Sequence, residues 1–473
     1  MISRRRFLQS SISLALVPLL PRVALSTSLT VRPSWQVFCL TPQLQSFYDA
    51  VAKMKAVKDP TNPDSWAYWV ETHRANCPHG VSYFMAWHRG FIHRFEAKLR
   101  EMSGDSALAL PYWNYYDTPA IPPEFLDSTS PLYRGDRTGT DVTGALSYDA
   151  FADTVVRFQR GKSHAFETIT ESRPHNLVHN LIGGAMSSIR ISPRDPLFWV
   201  HHANIDRLWV AWLKAGGGRK EPLSTNTYWS GDLYYGPAVS GMPRVWTTDT
   251  TTYLGYRYDN ETMPSPSTST AMAASGLAAS RTPPRPATRV SVPFGKSRAL
   301  SLDEQSMNVD VGLSATDAAR VRSLMLRPAA TDATPDGPVR VVLDGVHLTG
   351  LGHKGGYFYN VYLNLPAQPG IGKAAGAYLL GSVGAFEISV AQMKASMKGM
   401  HSMHGMPDMA ATPASQSHGV RLVFPATDVL QRIWPDSLDK LSVSFVRVDG
   451  RKQPTKGVVM KVDAFRVEAD PSM

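Results

Sequence analysis

Residues 175 to 209 read HNLVHNLIGGAMSSIRISPRDPLFWVHHANIDRLW. His175 and His179 are four residues apart, so on a helix both imidazoles project from one face. Two neutral nitrogen ligands side by side suit copper, zinc or nickel. After a Gly-containing loop a fresh helix begins, with Asp195 as N-cap and Pro196 at the first helical position. Its continuation carries His201 and His202. Phe198, His202 and Asp206 share a face at i, i+4 and i+8, which makes Asp206 a candidate partner beside a His202 ligand. Spacing alone does not separate His201 from His202.

A single His pair at i, i+4 is often incidental. A pair followed by DPxFxxHHxxxD is far more specific, and it resembles the second copper motif of the tyrosinase family: tyrosinases, catechol oxidases and molluscan-type hemocyanins. In that family the second histidine of the HH pair is the third ligand, so the resemblance implies His175, His179 and His202.

Upstream, residues 66 to 102 read WAYWVETHRANCPHGVSYFMAWHRGFIHRFEAKLREM. His88 and His93 are five residues apart, about 140° around a helix, a poor geometry for one metal. The stretch resembles the family's first copper motif, with VETH and WHRGFIHRFE as its marks. The resemblance implies His73, His79 and His88 as ligands and leaves His93 outside them. Ala86 stands where the family usually has Pro. Cys77, two residues before His79, resembles the cysteine that forms a thioether with that ligand in several family members. The element LPYWNYYD, residues 110 to 117, resembles the family's structural LPYW segment. Glu167 lies eight residues before His175, and Asn176 directly after it. The resemblance implies that this pair holds a water that deprotonates a monophenol.

The N-terminus reads MISRRRFLQSSISLALVPLLPRVALS. Its charged start and short apolar stretch are too short for a comfortable membrane span. Ser3 to Leu8 resembles the twin-arginine export signal of bacteria. The expected destination is periplasmic or secreted, with the twin-arginine export machinery as a partner. No later stretch reads as transmembrane. The net charge of +10 is a mild excess without basic runs interleaved with aromatics, which argues against nucleic acid.

Residues 41 to 57 have helical periodicity through Leu44, Phe47, Val51 and Met54. Tyr256 and Tyr258 resemble the tyrosine motif that closes the family's catalytic domain. From residue 289 the pattern turns to alternation, with strand candidates at Val339–Leu343, Tyr357–Leu365, Phe386–Val390, Val420–Phe424, Leu441–Phe445 and Val458–Val467. The expected organisation is a signal (1–26), a mainly α catalytic domain in which a helical bundle holds a dicopper site (27–258), a flexible linker (259–288), and an all-β sandwich (289–473). The last resembles the shielding domain of plant-type polyphenol oxidases, which implies latency until it is removed.

Within it lies MKASMKGMHSMHGMPDM, carrying Met393, Met397, Met400, His401, Met403, His404, Met406 and Met409. Thioethers favour Cu(I), and Gly399, Gly405 and Pro407 make this a poor core segment, so accessory copper and a copper donor are expected there. The resemblance implies two copper ions, O2 and phenolic small molecules: ortho-hydroxylation of monophenols and oxidation of o-diphenols to o-quinones. The alternatives are a catechol or o-aminophenol oxidase without monophenolase activity, and a non-catalytic oxygen or copper binder.

Overall fold

The computed structural model describes residues 29–265, 288–326, 337–366, 375–401 and 419–469. The signal stretch, much of the linker, and Met403, His404, Met406 and Met409 lie outside them, as do the side chains of Met397, Met400 and His401.

The first half is helical. Gln43–Ala56, Trp66–Asn76, Phe84–Ser103 and Leu197–Lys214 supply its long helices, and their apolar faces meet in one aromatic core. Trp199 stacks on Phe95 with Trp66 and Trp69 edge-on beside it. The predicted helix over 41–57 is the Gln43–Ala56 helix, burying Phe47, Val51 and Met54. Asp195 acts as predicted at the start of the Leu197–Lys214 helix: its Oδ1 accepts from the Leu197 N–H at 2.9 Å. The same carboxylate meets Arg137 at 2.7 Å, which ties that helix start to the loops before it.

Tyr256–Tyr258 pairs in parallel with Thr30–Arg32, so the two ends of the helical half close on each other. The hydroxyls of Tyr256 and Tyr258 both donate to Asp206 Oδ2 at 2.6 Å. Arg89 and Arg32 also converge on that carboxylate. Asp206 is therefore the hub of a buried ion network and not the expected partner of His202. The reason is local: His202 turns toward His88 of the Phe84–Ser103 helix, while Asp206, one turn on, faces the guanidinium groups.

The second half is a β-sandwich. One sheet runs Leu379–Gly384, Tyr357–Leu363, Lys440–Asp449, Met307–Gly312, Thr288–Pro293; the other runs Val420–Pro425, Val339–Leu348, Met460–Ala469, Arg298–Leu302. All these pairings are antiparallel except that of the last two strands of the first sheet. Alternating inward side chains such as Val341, Leu343, Val443 and Phe445 form its core.

The expectation of strands alone is corrected by helices at Ala315–Met325, Ala385–His401 and Thr427–Ile433. Phe386–Val390, expected as a strand, opens the Ala385–His401 helix. Alternation over five residues also fits a helix, and the helix formers Ala, Gln, Met and Lys that follow decide for one. This helix does not pack in the sandwich alone: Phe386, Val390 and Met393 are buried in the core of the helical half. Among the described residues no helix is long and apolar enough to cross a membrane.

Candidate metal centre

Four helices and one loop bring the histidines together. Ser65 caps the Trp66–Asn76 helix, accepting from the Ala67 N–H at 3.1 Å, and His73 sits in its last turn. Cys77 precedes Pro78, a position that disfavours helix, and takes extended angles (φ −69°, ψ 129°). The helix stops there, so His79 is carried by a loop. Gly80 then adopts φ +66°, a left-handed turn that a glycine makes without strain. His88 lies in the second turn of the Phe84–Ser103 helix. His175 immediately precedes the Asn176–Ile182 helix and His179 lies one turn on within it; the helix ends at Gly183 with φ +74°. His201 and His202 lie on the Leu197–Lys214 helix.

These side chains form two buried groups: His73, His79 and His88, and His175, His179, His201 and His202. Within each group one nitrogen per ring lies within 4.8 Å of every other. The groups face each other, with His88 stacked on His202 at 4.3 Å and His79 5.4 Å from His175 between ring centroids. In each group two Nε2 atoms converge to 3.4 Å: His73 with His88, and His175 with His202.

The outer nitrogens set the tautomers. His88 Nδ1 is 2.8 Å from the Phe84 carbonyl, His179 Nδ1 2.9 Å from the Met186 carbonyl, and His175 Nδ1 2.8 Å from Asn176 Oδ1. These oxygens only accept, so each Nδ1 carries the hydrogen and each Nε2 presents a lone pair inward. The Nε2 atoms of His79 and His179 are buried and have no hydrogen-bond partner among the described residues. Burial holds His79 and His175 down to about 3, and the other five imidazoles well below their usual range. They are neutral at neutral pH and need lose no proton to bind a metal. Converging, unpartnered, neutral imidazole nitrogens in two facing groups fit a pair of nitrogen-loving transition metal ions.

His93 joins neither group and stacks loosely on Tyr256. His201, which the spacing leaves open beside His202, is buried against His175 and His179, and neither of its nitrogens has a hydrogen-bond partner among the described residues. Cys77 is a buried thiol, pushed up by burial, and Cys39 is also free.

Two carboxyls lie behind the site. Glu167 is fully buried; its oxygens accept from the Met85 N–H at 3.3 Å and the Arg160 N–H at 3.2 Å, and burial raises it to about 7. No hydrogen bond among the described residues joins it to Asn176, whose Oδ1 faces His175. Glu171, unmarked by the sequence reading, lies closer: its Oε1 is 3.4 Å from His79 Nδ1 and accepts from the Gly80 N–H at 2.6 Å. Its spacing, one helical turn before His175, was the signal available.

Phe386 was also missed. Its ring stacks on His179 at 4.2 Å with 16° between planes, and lies 5.6 Å from His79 and 5.7 Å from His175. Asn180 fixes it: Oδ1 accepts from the Phe386 N–H at 2.9 Å, and Nδ2 donates to Glu387 at 2.7 Å. Arg173 adds bonds to Asn360 at 2.9 Å and Ser382 at 2.6 Å across the same seam.

A helical bundle with two facing groups of buried imidazoles is the framework of a binuclear metal protein. Residues 45–154 and 127–215 match the common central domain of tyrosinase. This stretch is thus similar to the central domain of tyrosinases and polyphenol oxidases, and the two imidazole groups fit that family's pair of copper ions. A tyrosinase of a Hahella species is 34% identical over 224 residues, covering 38% of this chain and 47% of its own. The latent form of a chloroplastic polyphenol oxidase from Prunus armeniaca is 28% identical over 251 residues, covering 41% and 42%. The chain thus spans about half the length of the curated relatives it matches. Both halves share their fold with latent apple tyrosinase, at a TM-score of 0.51 and 19% identity over 94% of this chain and 98% of that one.

Proposed function

We propose that this chain is a copper-dependent phenol oxidase that is latent while its C-terminal half is attached. His73, His79 and His88 hold one copper; His175, His179 and His202 hold the other. His201 supports His175 by stacking. When bound, the copper pair supplies the redox chemistry, taking up O2 and accepting the electrons of the phenol.

The chain's own residues do the rest. Neutral imidazoles with fixed tautomers set the ligand geometry. Phe84, 4.7 Å from both His88 and His175, and Phe198, 4.2 Å from His202, keep the histidines dry and in place. The substrate's proton goes to a buried carboxylate through water beside Asn176. Spacing pointed to Glu167; the 3.4 Å approach to His79 favours Glu171. Ortho-hydroxylation of monophenols and oxidation of o-diphenols are the activities this arrangement supports best.

The single observation that carries latency is the Phe386 ring stacked on His179. It occupies the face of the site that a flat phenol would need. The test is oxygen uptake by the copper-loaded chain with tyramine and dopamine, before and after proteolysis between residues 259 and 288. Uptake with both amines that rises on cutting is the expected result. Equal uptake before and after would sink latency, and uptake with dopamine alone would reassign the chain to catechol oxidation.

A further inference from the structure

We propose that Lys394, on the C-terminal half, is a positioning residue for the first copper site: it holds the loop that carries His79. This rests on the reading that His73, His79 and His88 bind copper.

The three histidines are not held alike. His73 and His88 sit within helices, whose backbone bonds fix them. His79 sits on the loop between those helices, where its place depends on what grips the loop. Gly80, the next residue, is gripped at both polar groups. Its N–H donates to Glu171 Oε1 at 2.6 Å, and its carbonyl accepts from Lys394 Nζ at 3.0 Å. One residue on, the Val81 carbonyl accepts from Arg160 Nε at 3.1 Å. Two of these grips come from the helical half, and the third comes from across the seam.

The helix geometry makes this a designed contact and not a stray lysine. Lys394 is eight residues after Phe386 on the Ala385–His401 helix, about 12 Å along one face. Phe386, Val390 and Met393 on that face are buried in the helical half. The same docking that lays Phe386 on His179 therefore sets the Lys394 ammonium on the His79 loop. The fit is close: a Cβ built on Gly80 would lie 2.0 Å from Lys394 Nζ.

One helix thus does two opposed things. It blocks the site with Phe386 and steadies the first copper's loop ligand with Lys394. Removing the C-terminal half removes both, so the unblocked chain holds its first copper less firmly.

The experiment uses the full chain as wild type, Lys394→Arg, Lys394→Met and Gly80→Ala, each loaded with copper and freed of excess metal. Copper per chain, its release into a chelator, and the Cu(II) EPR signal are followed, with thermal unfolding of the metal-free chain as a check on folding. Wild type and Lys394→Arg are expected to keep two coppers. Lys394→Met is expected to release one of them about 10- to 100-fold faster, the range for losing an outer partner of a metal ligand. The remaining lone Cu(II) then shows an EPR signal that a coupled pair lacks. Gly80→Ala, whose Cβ meets the Lys394 ammonium and whose φ of +66° strains an alanine, is expected to lose the same copper. Release of both coppers at wild-type rates from Lys394→Met overturns the inference, as does simultaneous loss of both coppers. A wild-type chain that binds no copper overturns the site reading itself.

Discussion

At the scale of the residue, the site depends on which nitrogen or oxygen each side chain offers. The histidines are prepared by their surroundings: carbonyl oxygens of Phe84 and Met186 take the Nδ1 hydrogens of His88 and His179, leaving Nε2 for metal. The carboxylates are less evenly placed. Glu171 touches the His79 loop directly, while Glu167 is anchored to backbone N–H groups of Met85 and Arg160. A water-holding base is therefore expected to show itself differently at the two positions. Glu171→Gln should lower kcat/KM for a monophenol by about 10²- to 10⁴-fold, the span of general-base catalysis, with a much smaller loss for the o-diphenol. Glu167→Gln should change both substrates' rates less. Steady-state kinetics with tyramine and dopamine checks this, and the reverse order would return the role to Glu167.

At the scale of the element, the long helices are held by what lies between them. Asp206 collects Arg32, Arg89, Tyr256 and Tyr258, which come from the first strand, the Phe84–Ser103 helix and the closing tyrosine strand. Breaking such a buried cluster leaves two guanidinium groups without their shared carboxylate. Asp206→Ala is expected to destabilise the chain by about 3–5 kcal/mol, read as a lower urea midpoint. A loss under about 1 kcal/mol would mean that the cluster is dispensable. The loop elements obey different rules. Pro78 ends the Trp66–Asn76 helix and Gly80 turns the chain, so His79 is set by hydrogen bonds and not by helix geometry.

At the scale of the molecule, two halves with separate cores share one seam. The helix that begins as Ala385–Phe386–Glu387 belongs by sequence to the sandwich half and by packing to the helical one. Phe386→Ala is expected to raise dopamine-driven oxygen uptake by the uncut chain toward the level of the cut chain, because the ring on His179 is gone while Asn180 and Arg173 still hold the seam. Uptake that stays at the uncut wild-type level would show that something other than this ring closes the site.

The sequence by itself determined the two copper-type motifs, the helical half and the alternating half. Local spacing carries all of these: i, i+4 histidines, the Asp195 cap, and period-two runs such as Val339–Val341–Leu343. It could not separate His201 from His202, since neighbours on a helix differ only in what each ring meets. It misread Phe386–Val390 as a strand, because five alternating residues fit both periods. Only the tertiary structure decided that Asp206 serves arginines and not His202. It alone put Glu171, Phe386 and Lys394 beside the histidines, for contacts between residues as far apart as Gly80 and Lys394 leave no periodic trace in the chain. They arise when two separately patterned halves dock and bury one helix between them.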